Sequence, residues 1–186
     1  PIYRGRHPLI WALVLGLNET ASTFFFMDDG TDSGDILSQH SINISENDTA
    51  GTLYNRIIEV ALKQLDEFIP ALISGDYKKV KQDHSISNTW RKRGENDGKI
   101  DWRMSAITIH NLVRGLTKPY IGAHIEYKDE IIKVWETKVI RGGEENIEPG
   151  KVILFRKNGI SVKTGSDSVC LMETDPILDI KLGNYL

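Results

Sequence analysis

Cysteine and long hydrophobic runs are scarce in this sequence. The 186 residues include a single cysteine, Cys170, which excludes internal disulfide bonds and is typical of a reducing compartment. No apolar segment approaches the about 20 residues that a membrane-spanning helix needs. The opening PIYRGRHPLIW is basic and begins with proline, unlike a secretory signal. We therefore expect a cytoplasmic protein without a membrane partner.

An excess of positive charge is also missing. Lysine and arginine number 23 against 26 aspartates and glutamates, which gives a net charge of −3 and a pI near 6.0. Proteins that bind nucleic acid through a broad basic face show the opposite balance. Nucleic acid is therefore not the expected partner. The hydrophobic fraction of 40% is ordinary for a globular protein and suffices for one core or two small ones.

The first 75 residues predict alternating helices and strands. PLIWALVLG (8–16) suits a short buried helix, and the β-branched and aromatic residues ASTFFFM (21–27) suit a buried strand. DILSQHSINI (35–44) predicts a second strand. A long helix follows, with Asp48 as its expected N-cap and Gly75 after its end, and Pro70 is expected to kink it.

This long helix carries a broad apolar stripe. Four of its residues repeat at intervals of four, and three more widen the stripe, which is the pattern of a helix packed on a core. The repeating residues are Leu53, Ile57, Ala61 and Leu65, and the widening residues are Ile58, Leu62 and Ile69. We interpret the stripe as core packing rather than as a ligand site.

The composition changes after residue 75. Residues 76–103 are polar and rich in turn formers, which predicts a linker. A short helix capped by Ser105 follows, and then five strands at 123–128, 131–140, 151–156, 160–164 and 168–174. Asn158-Gly159 between two apolar runs is a strong hairpin signal. Five short strands with turns between them are typical of a small Greek-key barrel of the OB type.

The stretch MDDGTDSGDIL (27–37) is the most promising site. It places four aspartates and two glycines directly after the strand at residues 21–27. A carboxylate at the end of a strand is where α/β sheets place ligands, and glycine lets a ligand approach the backbone. A polar turn whose aspartates cap backbone amides would look the same.

Other candidates for chemistry are weaker. The five histidines show no metal-ligand spacing, so no metal site is expected. Cys170 within SVCLM is typical of a buried strand residue. The basic cluster WRKRG (90–94) could meet a phosphate, but a solvated loop balanced by Glu95, Asp97 and Asp101 is the preferred interpretation.

Several stretches together resemble the folate-dependent formyltransferases, which include methionyl-tRNA formyltransferase and the sugar-nucleotide N-formyltransferases. YRGR (3–6) resembles the family's Arg-Gly motif, and TDSGD (31–35) resembles its Gly-Leu-Asp-Thr-Gly-Asp loop. GKIDW (98–102), IHNLVRGLTKPYIGA (109–123) and EPGKV (148–152) continue the likeness in order. The chain has Thr20-Ala21 where the family usually has Thr-Gly.

The resemblance implies the C-terminal part of an α/β, Rossmann-like formyltransferase domain followed by an OB-like β domain. The expected catalytic domain covers residues 1–100, with a linker from about residue 76, and the expected β domain covers residues 101–186. The family's catalytic Asn and His would precede Pro1. The chain therefore resembles a fragment of a longer enzyme and is expected to be inactive alone.

The resemblance also implies a set of site residues. Asp32 matches the family's catalytic aspartate, which pairs with the His and moves protons. The co-substrate would be 10-formyltetrahydrofolate, with its pterin against the backbone of Asp28, Asp29, Gly30 and Thr31. The Arg-Gly motif implies substrate binding by four residues at the start of the chain. These are Pro1, Tyr3, Arg4 and Gly5.

Three functions remain open on the sequence. PIYRGRHPL and WRKRGENDGKIDW resemble the sugar group, so the preferred acceptor is the amine of a nucleotide-linked amino sugar, as in O-antigen synthesis. Formylation of methionyl-tRNA is the alternative, although the acidic balance disfavours tRNA as a partner. A non-catalytic binding or assembly module is the third option, and a homodimer is compatible with all of them.

Overall fold

The computed structural model describes residues 2–143 and 145–186, which divide into two compact units. Unit 1 contains the residues up to 12 and residues 17–93, and unit 2 contains residues 13–16 and 94–186. Pro1, a predicted substrate-binding residue, lies outside the described residues. Within the described ranges, no helix combines the length and the apolar character required to cross a bilayer.

Two pairs of strands build unit 1. Strand β1 (Tyr3–Gly5) pairs in parallel with β4 (Asn88–Trp90), although most of the unit separates them in the chain. Helix α1 (Pro8–Val14) follows β1. Strands β2 (Glu19–Phe25) and β3 (Ile36–Asn43) form an antiparallel pair joined by the acidic stretch. Both sequence-predicted strands are therefore confirmed, and β2 lies about two residues earlier than expected.

Helix α2 (Ala50–Ser74) covers the β2–β3 pair. Its Gln64 is fully buried and donates from Nε2 to the Ser22 carbonyl at 3.3 Å and to Ser38 Oγ at 2.8 Å. Gly75 ends the helix in the left-handed conformation that glycine favours, as the sequence predicts. Pro70 lies inside α2, and the predicted kink there stays a prediction.

The expected N-cap of α2 was one residue too early. Thr49 is the cap, because its side chain accepts from the Thr52 N–H and the Thr52 hydroxyl oxygen accepts from the Thr49 N–H. Asp48 is buried just before it and pairs with Arg56. Burial acts to raise the pKa of Asp48, but hydrogen bonds from Arg56, the Ser45 N–H and Thr52 outweigh it and hold the pKa below the ordinary value.

The apolar stripe of α2 is only partly buried. Leu53 is fully buried against the strands, whereas Ile58, Leu62 and Ile69 are 40%, 57% and 41% exposed. The interpretation of these three residues as core was therefore wrong. The stripe is wider than the surface of the β2–β3 pair, so its outer edge remains uncovered in unit 1.

The segment predicted as a linker adds structure to unit 1. A short 3₁₀ helix (His84–Ile86) precedes β4, and Val80 exchanges backbone hydrogen bonds of 2.8 and 2.9 Å with Ile36. Residues 76–93 therefore belong to unit 1. The polar composition of this segment reflects its exposed side chains and not an absence of backbone pairing.

Unit 2 contains a helix and a five-stranded antiparallel sheet. Helix α3 (Ala106–Leu116) begins at Ser105, whose Oγ accepts from the Thr108 N–H as the sequence predicts. The strand order is β5-β6-β9-β8-β7, and α3 packs on β6 and β9. The strands are β5 (Ala123–Tyr127), β6 (Glu130–Ile140), β7 (Val152–Arg156), β8 (Gly159–Lys163) and β9 (Ser168–Asp175). All five predicted strands are confirmed, including the β7–β8 hairpin at Asn158-Gly159.

Candidate active site

The acidic stretch forms a loop that is closed at its base. Phe26 N–H donates to the Asp35 carbonyl at 2.9 Å, immediately beyond the end of β2. A Cβ on Gly34 would lie 1.7 Å from the Phe26 oxygen, so the closure requires glycine at this position. The backbone of residues 27–33 therefore projects from the strand pair as a short loop. We call residues 26–35 the aspartate loop.

Asp32 holds a defined position in this loop. Its φ of 52° lies in the left-handed region, which aspartate adopts more readily than most residues. Its Oδ2 accepts a hydrogen bond from the Gly5 N–H at 3.1 Å. The carboxylate is thereby fixed to strand β1 and half-buried. A carboxylate has about four lone-pair sites, and Gly5 uses one of them.

Gln82 ties the backbone of the aspartate loop to strand β1. Its Nε2 donates to the carbonyls of Asp32 at 3.0 Å and Gly34 at 2.5 Å. Its Oε1 accepts from Arg4 Nη2 at 2.9 Å. Arg4 and Gln82 are each only 8% exposed. Arg4 therefore takes part in a buried network, and its predicted contact with substrate stays a prediction.

Asp28 caps the loop itself. Its Oδ1 accepts from Ser33 Oγ at 2.6 Å and from the Gly30 N–H at 3.0 Å. The bond from Ser33 first, and then that from Gly30, hold the pKa of Asp28 below its ordinary value. The polar-turn interpretation thus holds for the side chain of Asp28. Asp28, Asp29, Gly30 and Thr31 are all exposed, and their predicted role at the pterin stays a prediction.

A groove of about 620 Å³ opens beside Asp32. Tyr3, Gly5 and Trp90 line the groove with Asp32, and Tyr3 stacks on Trp90 with centroids 4.5 Å apart and planes at 8°. The volume lies within the usual range of small-molecule sites. The remaining lining residues come mainly from β2, β3 and the segment before β4. They are Ile2, Pro8, Glu19, Thr20, Ala21, Thr23, Phe25, Ile36, Gln39, Ser41, Lys81, Gln82, Asp83 and Ile86.

The charges around the groove are mixed. Glu19, Asp32 and Asp83 contribute carboxylates to its lining, and Lys81 contributes an ammonium group. Residues 90–93 of the predicted basic cluster (90–94) lie nearby in unit 1. The arginines of this cluster approach Trp11, whose centroid is 6.2 Å from that of Trp90. The guanidinium carbons of Arg93 and Arg91 lie 4.6 and 5.5 Å from the Trp11 centroid.

The structure brings together some of the predicted site residues and adds others. Asp32, Tyr3 and Gly5 share the groove, whereas Gln82 and Trp90 were missed. Both lie in the segment interpreted as a linker. The triplet NTW (88–90) has β-forming residues and was a usable signal for a strand. No sequence pattern marks Gln82, because its partners are backbone carbonyls.

Metal ligands do not cluster in the described part of the chain. Among those residues, no group of three or more histidine, cysteine, aspartate or glutamate side chains could hold an ion. Cys170 is buried in β9 of unit 2.

Comparison with known families matches both units. Residues 1–69 match the family described as Formyl transferase, and residues 93–177 match Formyl transferase, C-terminal domain. The chain belongs to the formyltransferase family. The aspartate loop lies within the first match, residues 1–69. The groove is lined by residues of that match and by residues between 81 and 90, which follow it.

Relatives within the formyltransferase family differ in the activities they are named for. Methionyl-tRNA formyltransferase of Clostridioides difficile (strain 630) is 35% identical over 173 residues, which cover 93% of this chain and 55% of the relative. The chain thus spans about half the length of that curated relative. A bifunctional polymyxin resistance protein of Wigglesworthia glossinidia brevipalpis is 36% identical over 166 residues, which cover 89% of this chain and 25% of that relative.

Solved formyltransferase-like structures confirm the fold. HypX from Aquifex aeolicus in complex with tetrahydrofolic acid has a TM-score of 0.72 at 18% identity. The match covers 94% of this chain and 30% of the HypX chain. The N-formyltransferase from Helicobacter canadensis, solved with folinic acid and dTDP-3-aminofucose, has a TM-score of 0.71 at 20% identity. The match covers 91% of this chain and 61% of the Helicobacter canadensis chain. These likenesses establish the α/β unit followed by a mostly antiparallel β unit.

Proposed function

We propose that this protein transfers a formyl group from 10-formyltetrahydrofolate to the amine of a nucleotide-linked amino sugar. The observation that carries the proposal is Asp32, which the Gly5 N–H holds at the wall of a small-molecule groove. The match to the formyltransferase family supports the reaction. The co-substrate supplies the activated formyl group when it is bound.

Asp32 would move the proton that the reaction releases. The amine that attacks the formyl carbon gains a positive charge, and it must lose a proton as the bond from that carbon to the tetrahydrofolate nitrogen breaks and tetrahydrofolate leaves with a proton on this nitrogen. The Asp32 carboxylate accepts this proton at an oxygen, and the Gly5 N–H fixes the orientation of the carboxylate beforehand.

The arrangement of aromatic and cationic groups favours a nucleotide-linked acceptor. Tyr3 and Trp90 provide a flat aromatic wall, and Arg91 and Arg93 lie around the neighbouring Trp11. Two phosphates need only a few local cations of this kind. The Helicobacter canadensis structure was solved with a sugar nucleotide of this class, which gives the proposal a precedent in the same fold.

Methionyl-tRNA is the second candidate acceptor. The observation that favours it is the sequence similarity to methionyl-tRNA formyltransferases, such as the 35% identity to the enzyme of Clostridioides difficile. Against it stands the net charge of −3, because a tRNA enzyme needs an extended basic surface.

One assay separates the candidates. The full-length enzyme is incubated with 10-formyltetrahydrofolate and either a panel of nucleotide-linked amino sugars or methionyl-tRNA, and released tetrahydrofolate and formylated product are quantified. We expect a formylated sugar. The rate should depend only weakly on salt, whereas a protein with six to ten phosphate contacts loses about 10³–10⁵ in affinity between about 50 and 200 mM salt.

The opposite results are equally clear. Efficient formylation of methionyl-tRNA with no sugar product would overturn the choice of acceptor and leave formyl transfer intact. Turnover of neither acceptor, with folate still bound, would support a non-catalytic module.

A further inference from the structure

Gln82 uses both ends of its amide inside unit 1. The amide nitrogen bonds two carbonyls of the aspartate loop, and the amide oxygen bonds the Arg4 guanidinium. The side chain is 8% exposed, so water competes little for these hydrogen bonds. A buried amide with three partners specifies the position of each partner more closely than a surface contact does.

Arg4, which donates to the amide oxygen of Gln82, is also held in place. Arg4 is buried in β1, and its Nη2 also lies 3.0 Å from His84 Nδ1. Since arginine carries only donors, the imidazole nitrogen accepts at this contact. Gly5 follows Arg4 directly and donates its N–H to the Asp32 carboxylate. Strand β1 therefore holds Asp32 twice, by its side chain through Gly5 and by its backbone through Gln82.

The backbone of Asp32 needs this support. A φ of 52° is unfavourable for a residue with a side chain, and such conformations persist where the surroundings determine them strongly. Gln82 bonds the carbonyl of Asp32 itself and that of Gly34, which lies just beyond it. Without these bonds the loop can relax toward ordinary backbone angles, which would turn the carboxylate away from the groove.

We propose that Gln82 is a positioning residue for Asp32, holding the aspartate loop so that the carboxylate faces the groove in the orientation that proton transfer requires. This inference rests on the proposed function. Gln82 acts through Asp32 and not by contact with the formyl group. A displacement of about 1 Å in a reacting group typically costs about 100-fold in rate, so the loss of Gln82 should be visible in kcat.

The test uses two substitutions in the full-length enzyme. Gln82→Leu removes all three hydrogen bonds, and Gln82→Glu keeps an acceptor for Arg4 while removing the donors to the loop. We expect kcat for formyl transfer to fall roughly 10- to 100-fold with either change, and KM for both substrates to change by less than about threefold. The matched control is Gln64→Leu, because Gln64 is equally buried in unit 1 and also donates to a backbone carbonyl, but lies away from the aspartate loop. It should lower the unfolding midpoint and leave kcat unchanged.

A double-mutant cycle shows whether Gln82 acts through Asp32. In an Asp32→Asn background, Gln82→Leu should cause no further loss of kcat, because the group that it positions is already disabled. Wild-type kcat in both folded Gln82 variants, or losses that multiply fully in the double variant, would overturn the inference. Wild-type turnover by Asp32→Asn alone would instead remove the proposed role of Asp32, a different result from normal turnover by the Gln82 variants.

Discussion

Asp32 owes its position to two neighbours that lie far from it in the chain. Gly5 bonds its carboxylate and Gln82 bonds its carbonyl. The residue itself is an ordinary aspartate in an exposed loop, and its half-burial comes from the groove wall. The position and orientation of the Asp32 carboxylate therefore depend on the hydrogen bonds from Gly5 and Gln82.

Replacement of Asp32 by asparagine tests its catalytic role. The amide keeps the size of the side chain but cannot accept a proton, so kcat should fall by about two to four orders of magnitude while the fold is retained. The measurement is the rate of tetrahydrofolate release by the full-length enzyme, with circular dichroism to confirm folding. Asp35→Asn is the control, because Asp35 contributes its backbone carbonyl to the loop closure, and it should cost much less. Near-normal turnover by Asp32→Asn would contradict the assignment.

Gly5 should tolerate no side chain. Its φ is +95°, and an added Cβ would lie 2.3 Å from the Trp90 carbonyl oxygen. Gly75 provides a matched control, since its φ is +80° and a Cβ there meets nothing within 4 Å. Both alanine variants should lose about 1–2 kcal/mol from backbone strain, and Gly5→Ala should lose more because β1 and β4 must separate. Urea unfolding measures both. Equal losses would show that the close approach of the two strands is relaxed at little cost.

At the scale of single elements, strand β5 contains a histidine that should make stability depend on pH. His124 is buried, and its Nδ1 has no hydrogen-bond partner within the described ranges. Burial first, and then Lys133 on the paired strand, lower the pKa of His124, although Glu95 and Glu126 oppose the shift and Lys99 adds to it. The unfolded chain therefore binds the proton more tightly than the folded one.

The sign of the effect follows from this shift. The contribution of His124 to the free energy of unfolding of unit 2 should be fully present above the pKa of His124 in the unfolded chain, near 6.5. It should be lost as the pH falls from there through the lower pKa of His124 in the folded chain. His124→Gln should flatten that decline. The measurement is the denaturation midpoint between about pH 7.5 and 5. An unchanged slope in the variant would show that other groups cause the pH dependence.

The elements of unit 2 were predictable because each carries its own local signal. Ser105 precedes a segment whose apolar residues recur at helical spacing, and Asn158-Gly159 separates two apolar runs. The start of α2 was harder, because Asp48 and Thr49 are both common caps. Thr49 is the N-cap in the structure, whereas the Asp48 carboxylate pairs with Arg56. Strand β4 was missed because its partner, β1, lies more than 80 residues earlier in the chain.

The candidate site was predictable only where a motif marked it. Asp32 was found through the aspartate and glycine pattern and the family resemblance. The burial of Arg4 and the role of Gln82 depend on a contact between side chains that are 78 residues apart. Sequence periodicity carries no information about such a contact. The charge of Arg4 favoured a surface role, but pairing with Gln82 allows it to be buried.

Across the whole molecule, the outer edge of α2 presents an apolar surface. Tyr54, Ile58, Leu62, Ile69 and Ile73 are between 40% and 82% exposed. Contiguous exposed apolar surface of this kind favours association with another apolar surface. We therefore expect the purified 186-residue chain to bind a hydrophobic dye and to self-associate at high concentration.

Charged substitutions on α2 test this expectation. Ile58→Lys and Leu62→Glu together should lower dye binding and shift sedimentation toward the monomer. The control is Leu154→Lys, because Leu154 is 45% exposed on β7 of unit 2. An equal effect of the control would show that exposed apolar residues act without regard to their location.

The contact between Arg4 and Gln82 also orders events during synthesis. The two residues are 78 positions apart, and at about 5–20 residues per second the ribosome makes Arg4 roughly 4–16 s before Gln82. During that interval the aspartate loop has its own closure at Phe26 and Asp35 but no connection through Gln82. Pairings between such distant segments are also slow to form in a complete chain. The hydrogen-bonded arrangement around Asp32 is therefore among the last features of unit 1 to be assembled, so a nascent chain halted before residue 82 would carry the motif without the complete groove.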